Sequence, residues 1–519
     1  MDPAQVYVWQ CALCCNQYRV EAKKAKNEWE SFETFKEVFE LRVRSIGHIL
    51  ALMTPWKSPK YVTRAWCIFE IHTAVALQGN CQLDIIMPPS ERKAFKVAIT
   101  TEGLGPLWNT LACVRVENAE ASSQDDKLKI MRAVESGPGY SSLNYGVKRK
   151  LQTWAAESAE AEVQNLLSDC SNPAHAQDAG HAGARVVRLL NEIGLQERAA
   201  KLGISALYVL KAHELLETVL AADLLYCLAE SQLRIQSHSR HAADFAGIED
   251  MFAEAFRIHE VLRTSESTEC LTLLHGYGKF RGQLGDMSSA MRCLLQAYEV
   301  RKESDRLKSP EAAALVQDIG VCWMLGKQLK RGMECYEEAV RIREASGSLV
   351  SPDGGALLHN VAVVKQDLGD ITGALKSSQA ALDIFRQLGD ETQSVANALG
   401  VLASLKSKVG DLEGAVQNLE ESDQIRVAIE CAHSPQRVQT LVDLASLRKK
   451  LGDLEGAVQN LEESERICMA MGSAYTAQRI QALAELASLR KKLGDMKGAA
   501  QDEKAATQLM MGVYQQWPR

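Results

Sequence analysis

Asp411–Ser422 reads DLEGAVQNLEES, and Asp453–Ser464 reads DLEGAVQNLEES again, 42 residues later. The eight residues Ala445–Gly452, ASLRKKLG, return as Ala487–Gly494. Outward from this phrase the same punctuation recurs at Gly285-Asp286, Gly326-Lys327, Gly369-Asp370, Gly410-Asp411, Gly452-Asp453 and Gly494-Asp495. The intervals are 41, 43, 41, 42 and 42 residues. A period of this length marks a stack of supersecondary units, each burying its apolar face against its neighbours.

Each unit divides at its hinge. Gly ends a first helix, A, in the left-handed conformation, and Asp caps the N-terminus of a second, B. Helix B carries a small residue a few positions on (Ala290, Ala374, Ala415, Ala457, Ala499), where paired helices approach closely. This pattern resembles tetratricopeptide (TPR) repeats of the 42-residue kinesin-light-chain and nephrocystin-like kind, and Tyr336–Arg343, YEEAVRIR, reads like their second helix. Recurrence of Gln417-Asn418 and Glu420-Glu421 at 459–460 and 462–463 exceeds what core packing demands, so recent duplication of a coding segment is the simpler cause. The array is assigned to residues 243–519, with a degenerate first repeat whose second helix spans 249–262.

Composition is that of a folded protein, 46% apolar and 24% charged. Net charge is −7, with +4 in residues 1–150 (20 Lys+Arg against 16 Asp+Glu) and −11 in the remainder (39 against 50). Neither part is basic enough for nucleic acid. The start MDPAQVYVWQ lacks the profile of a signal peptide, and the apolar region 206–229 is interrupted by Lys211, His213, Glu214, Glu217 and Asp223, so no membrane span is expected. The 14 Cys follow no disulfide spacing, which suits a reducing cytoplasmic setting.

Residues 1–150 alternate strand and helix patterns: strands at 6–13, 48–53, 83–87 and 113–116, helices at 29–46, 62–77, 91–99 and 126–134. Such alternation predicts a parallel sheet with helical crossovers. The fold class is therefore mostly α, an α-solenoid preceded by a small α/β parallel-sheet domain. Tyr61–Ile71, YVTRAWCIFEI, followed by the strand at 83–87 and Pro88, resembles the third-helix segment of Toll/interleukin-receptor (TIR) domains. The NAD-cleaving members carry Trp-x-x-x-Glu there, matched by Trp66 and Glu70. Residues four apart share a helix face. The resemblance implies that Glu70 binds ribose hydroxyls and stabilises the oxocarbenium-like state as nicotinamide leaves, while Trp66 walls the pocket with Asn16 and Gln17. NAD is then a substrate, no resident cofactor or metal is implied, and self-association through the TIR-like domain is expected. Read without the resemblance, Trp66 is core and Glu70 a solvated helix residue. A preceding strand and helix of that family have no room before Val6, which implies a four-stranded sheet lacking its first strand.

Cys11-x-x-Cys14-Cys15 has no second pair at zinc-finger spacing and reads as buried thiols. Residues 151–242 form a helical connector, in which SDCSNPAHAQDAGHAG (168–183), with His175 and His181, reads as a loop of breakers. Nine residues before the hinge glycine on helix A stand Asn360, Val401, Asp443 and Glu485. Asn at this place grips peptide backbone in some kinesin-light-chain repeats, and the later carboxylates favour a basic segment. The functional expectation is a protein–protein interaction scaffold using the concave TPR face for proteins or peptides. The alternative is a TIR-type NAD glycohydrolase regulated by its array. A cargo adaptor of kinesin-light-chain type is less favoured, because its long heptad coiled coil is represented only by residues 29–46, under three heptads.

Overall fold

The repeats dictate most of the architecture. The computed structural model describes residues 47–516 apart from 77–80, 102–113, 121–123, 136–138, 238–244, 389–392, 430–432 and 473–474, with positions 37, 40, 41 and 43–45 as well. Six helix pairs make the array: α9 (Thr268–Gln283) and α10 (Met287–Glu303), α11 (Pro310–Leu325) and α12 (Leu329–Ala345), α13 (Pro352–Asp367) and α14 (Ile371–Gln387). These continue as α15 (Gln393–Lys408) and α16 (Leu412–Ala428), α17 (Pro435–Leu451) and α18 (Leu454–Met471), α19 (Thr476–Lys492) and α20 (Met496–Gln516).

Five hinges are built as their residues require. Gly285, Gly369, Gly410, Gly452 and Gly494 take φ between +83° and +89°, where an L side chain costs roughly 1–2 kcal/mol. Asp286 Oδ1 accepts from the Ser289 N–H at 3.0 Å, and Asp370, Asp411, Asp453 and Asp495 accept from Gly373, Gly414, Gly456 and Gly498 at 2.8–2.9 Å. The second hinge departs from expectation. Gly326 stays at φ −75° and Lys327 takes +58°. The B helices begin at 287, 329, 371, 412, 454 and 496, so Lys327, not Gly326, holds the place of the glycine, and Gly326 lies one residue early. Gly332 then fills the close-contact place of Ala290 and Ala374; a Cβ there would meet Met324 Sδ at 2.7 Å.

The A helices begin on a second cap that the sequence reading passed over. Ser309, Ser351 and Ser434 each accept a hydrogen bond from the N–H three residues on, and each is followed by Pro at the first helical position. Successive A helices α9 and α11, and α13 and α15, pack on one another, whereas no B helix packs as closely on the next B helix. The A helices therefore occupy the inner side of the curve.

The described residues of the connector are mostly helical, in α4 (Gly139–Ser168), α5 (Pro173–Glu192), α6 (Gln196–Ala212) and α7 (Val219–Ser237), and α8 (Ala246–Val261) follows at the place expected for the second helix of the degenerate first repeat. The loop expected at 168–183 is confined to 169–172, and His175 and His181 lie within α5. Asn172 accepts from the His175 N–H at 3.0 Å, Pro173 takes the first helical position, and the small residues pack. A Cβ on Gly180 would meet Leu220 Cδ2 at 2.9 Å, and one on Gly183 would meet the Cβ of Ala206 at 3.1 Å.

Ahead of it lie β1 (His48–Leu52), α1 (Ala65–Ala76), β2 (Gln82–Ile86), α2 (Pro89–Thr101) and α3 (Gln124–Glu135). β1 and β2 pair in parallel, His48 opposite Gln82 and Leu52 opposite Ile86. Among the described residues these are the sheet. The strand expected at 6–13 lies outside them, as does nearly all of the helix expected at 29–46. The strand expected at 113–116 is not formed: Val116–Asn118 is a 3-10 turn, and only Arg64 and Glu120 make a single bridge. One contiguous apolar core runs from Val43 through α4–α7 to Phe280, tying the sheet unit to the helices that follow.

Helix α4 also reaches the array. Tyr145 packs on the cluster of Leu382, Phe385, Val395, Leu399, Ile425 and Ile429, and α4 lies against α16. Ile425 and Ile429 end a B helix and Val395 starts an A helix, so the contact is on the edge opposite the hinges. Tyr145→Ala is expected to speed amide hydrogen exchange across residues 393–429 by about tenfold, the equivalent of ~1.4 kcal/mol. Mass-spectrometric exchange on the full chain measures it, with 476–492 as the unchanged reference.

Candidate functional site

Two regions carry the residues singled out by sequence. In the α/β unit the chain leaves β1, makes a 3-10 turn over Lys60–Thr63 and enters α1, which holds Trp66 and Glu70 one turn apart. The Tyr61 hydroxyl donates to Glu70 Oε2 at 2.7 Å. Burial pushes the Glu70 carboxyl above the ordinary glutamate range, opposed by that hydrogen bond and by the nearby Arg64 guanidinium. The carboxyl is half-buried and hydrogen-bonded to a group from its own segment. Asn16, Gln17 and the Cys11–Cys15 group lie outside the described residues.

The second region is the inner wall of the array. With Lys327 as the register residue, the place nine before the hinge reads Gly276, Asp318, Asn360, Val401, Asp443 and Glu485. Asp318 is the member that sequence reading missed, because Gly326 had been aligned with the hinge. It receives His275 Nε2 of the preceding A helix at 2.7 Å, with Lys279 Nζ at 4.0 Å. The His359 ring beside Asn360 has a buried Nδ1 without a partner, and burial lowers its pKa.

Asp443 presents an exposed carboxyl that accepts from Gln439 of its own helix at 2.9 Å. Its pKa is raised chiefly by desolvation. A group on a concave wall can touch water and still be ringed by protein, which reconciles the exposure with the shift. Glu485 and Asn360 are half-buried, and neither bonds to another helix among the described residues.

A set of recurring cations of the array is instead engaged in a ladder. Four residues before the hinge stand Arg281, Trp323, Lys365, Lys406, Arg448 and Arg490. Lys365, Lys406, Arg448 and Arg490 reach Ser377, Asn418, Asn460 and Asp502 of their own B helices, at 3.3, 3.5, 3.3 and 2.6 Å. Arg448 also reaches back to Glu420 at 2.6 Å, and Arg490 to Glu462. Trp323 breaks the row, and the Arg331 guanidinium lies 4.8 Å over its ring. A second rung repeats as Arg437 to Asp423 at 2.7 Å and Arg479 to Glu465 at 2.5 Å. Glu420 and Glu462 are substantially exposed, so each outer pair adds at most about 1 kcal/mol.

Residues 355–426, which run from α13 through most of α16, match the tetratricopeptide repeat family. No curated protein matches the chain. Among solved structures it is similar to BtubC (BKLC) from P. vanneervenii, at 22% identity and a TM-score of 0.38, covering 43% of this chain and 92% of that one. A putative kinesin light chain from Podosopora anserina with nearly identical TPR-like repeats gives 20% and 0.35, covering 39% and 96%. A STAND protein with a TPR sensor, PH0952 from Pyrococcus horikoshii, gives 11% and 0.46, covering 94% and 85%. Among the described residues no helix is long and apolar enough to cross a membrane.

The raised Glu70 pKa carries a sign. The folded state holds this proton more tightly than the unfolded chain, so the carboxylate costs stability as pH rises from the unfolded through the folded pKa. Glu70→Gln keeps an acceptor for Tyr61 and removes the charge. It is expected to be more stable than wild type at neutral pH, with the difference vanishing in acid below the ordinary glutamate range. Denaturant melts at the two pH values check it.

Proposed function

We propose that this protein is an interaction scaffold whose repeat array holds a peptide or partner segment along its inner face, with a preference for basic sequence. The observation that carries the reading is the contrast within the array. The cations four before the hinge, and Arg437 and Arg479, are tied to neighbouring helices. In the row nine before the hinge, Asn360, Asp443 and Glu485 make no such bond among the described residues. Polar groups left facing the inner curve of a solenoid, where extended segments bind, are free to meet a ligand. Asp318, Asp443 and Glu485 give that wall a negative sign.

The test is titration of a fluorescent Lys-rich peptide with the full chain. Asp443→Lys combined with Glu485→Lys is expected to weaken binding about tenfold, roughly 1.4 kcal/mol. Undiminished binding by the double variant would sink the assignment.

A second reading rests on Glu70, a half-buried carboxyl with a raised pKa in the segment resembling NAD-cleaving TIR domains. In it the N-terminal unit cleaves NAD to nicotinamide and ADP-ribose and assembles through its own surface, with the array governing activity. Chromatographic measurement of nicotinamide released by purified protein decides this. The enzyme reading expects release that falls at least about a hundredfold in Glu70→Ala, and equal release from both proteins removes Glu70 from the role.

A further inference from the structure

The hinges form one edge of the array, and that edge is apolar where capping does not need it to be. Immediately before the hinge residue stand Leu284, Leu368, Val409, Leu451 and Leu493. In the second unit Gly326 holds this place, and Leu325 is exposed one residue earlier. These six aliphatic side chains are 38–62% exposed. Two residues past the hinge come Met287, Leu329, Ile371, Leu412, Leu454 and Met496, none fully buried, with Met496 62% exposed. The left-handed glycine fulfils the turn through its backbone and the aspartate caps it through its carboxylate. Neither requires an aliphatic side chain before it. Single exposed leucines are ordinary on protein surfaces, but one at successive units along the same edge is an apolar ridge.

The ridge becomes basic towards the C-terminus. Residues 406–413 hold Lys406 and Lys408 against Asp411 and Glu413, a sum of 0. Residues 448–455 hold three cations against Asp453 and Glu455, +1, and residues 490–497 hold four against Asp495, +3. Arg448 and Arg490 are tied into the ladder, and Lys491 pairs with Glu503. Lys408, Lys449, Lys450, Lys492 and Lys497 are exposed and make no ion pair or hydrogen bond among the described residues. The aspartates between them each give one oxygen to a helix N–H, Asp453 to Gly456 and Asp495 to Gly498 at 2.9 Å, and hold Arg448 and Arg490 near the other, at 3.7 and 3.8 Å.

We propose that this hinge ridge is a docking surface for an acidic protein segment bearing apolar side chains, engaged chiefly around Leu451 and Leu493. It is separate from the inner wall and opposite to it in sign, so the array holds two segments of unlike charge. Carboxylates of the segment meet Lys449, Lys450, Lys492 and Lys497 while its apolar residues cover Leu451, Leu493 and Met496. A protein fits better than an anionic bilayer, because Asp453 and Asp495 interrupt the ridge at each hinge. An extended segment can place its carboxylates at the lysines and step over each hinge, which a continuous layer of anionic headgroups cannot.

The test uses the full chain and a fluorescein-labelled peptide of repeated Glu-Glu-Leu. Two surface variants, Leu451→Ser with Leu493→Ser and Lys449→Glu with Lys450→Glu and Lys492→Glu, alter exposed side chains; unchanged thermal melts verify their folding. Each is expected to weaken binding at least about tenfold relative to wild type. The proposal is overturned if wild type does not bind the peptide or if both ridge variants bind like wild type. It is equally overturned if phosphatidylserine vesicles, not the peptide, are held through these residues. A wild-type dimer in sedimentation that dissociates in the leucine variant would assign the ridge to a second copy of this chain instead.

Discussion

The geometry of the array depends on a constraint only two residues long. A left-handed residue ends helix A, and the next aspartate binds the N–H that opens helix B. Together they fix where the chain reverses and at what angle the helices meet, before any side chain packs. The small residue one turn into helix B, Ala457 or its equivalents, can lie against helix A only because the reversal puts it there. Lys327 demonstrates the priority of the backbone: where glycine is one residue early, a lysine accepts the left-handed conformation and the helix register stays constant. The strain is roughly 1–2 kcal/mol, less than the disruption of every later contact in the stack.

The repeated surface letters take on a different meaning once the neighbours are known. Glu420 and Glu462 each reach an arginine 28 residues ahead, and Asn418 and Asn460 each meet the cation of their own A helix. A rung between units is satisfied only if both units carry its half, so these positions recur together with Arg448 and Arg490. Glu421 and Glu463 do not share a partner: Arg386 holds the first, Arg437 and Arg466 the second. Gln417 and Gln459 have none given by the ladder. Copying of a segment remains the economical origin of those letters, while the ladder accounts for the rest.

The same physics explains what could be read in advance. The period, the aspartate caps and the alanine contacts are local and repeat, so the solenoid was legible from the recurring hinges at 285–495. The helix from Pro173 onward was not, because Asn-Pro and scattered glycines look the same whether they break a helix or cap and pack one. Only Leu220, Leu210 and Ala206, brought in from α6 and α7, distinguish the cases. Asp318 was missed for a register reason: sequence offers Gly326 as punctuation, and backbone conformation transfers that role to Lys327. In the sheet unit, His48–Leu52 and Gln82–Ile86 were recognisable as short apolar runs, although they bury only alternate residues such as Ala51, Leu83 and Ile85, and Val114 is buried without joining a strand. Burial alone does not specify pairing, which depends on a partner edge.

Helix α4 joins the two regions that carry candidate sites. Asn144 Nδ2 donates to Glu117 of the α/β unit at 2.9 Å, and Tyr145, the next residue, packs on the array at α14–α16. Between these contacts the chain traverses six helix pairs, from α5 to α16. A solenoid changes curvature by small rotations shared among its interfaces, each unit touching only its neighbours. Here the path is closed by α4, so those rotations cannot all proceed independently. A segment seated on Asp443 and its neighbours that altered the curvature would have to strain the Tyr145 contact or move α4 as a body. Because α4 packs on α1 as well as on the array, movement of that kind arrives at the helix bearing Glu70.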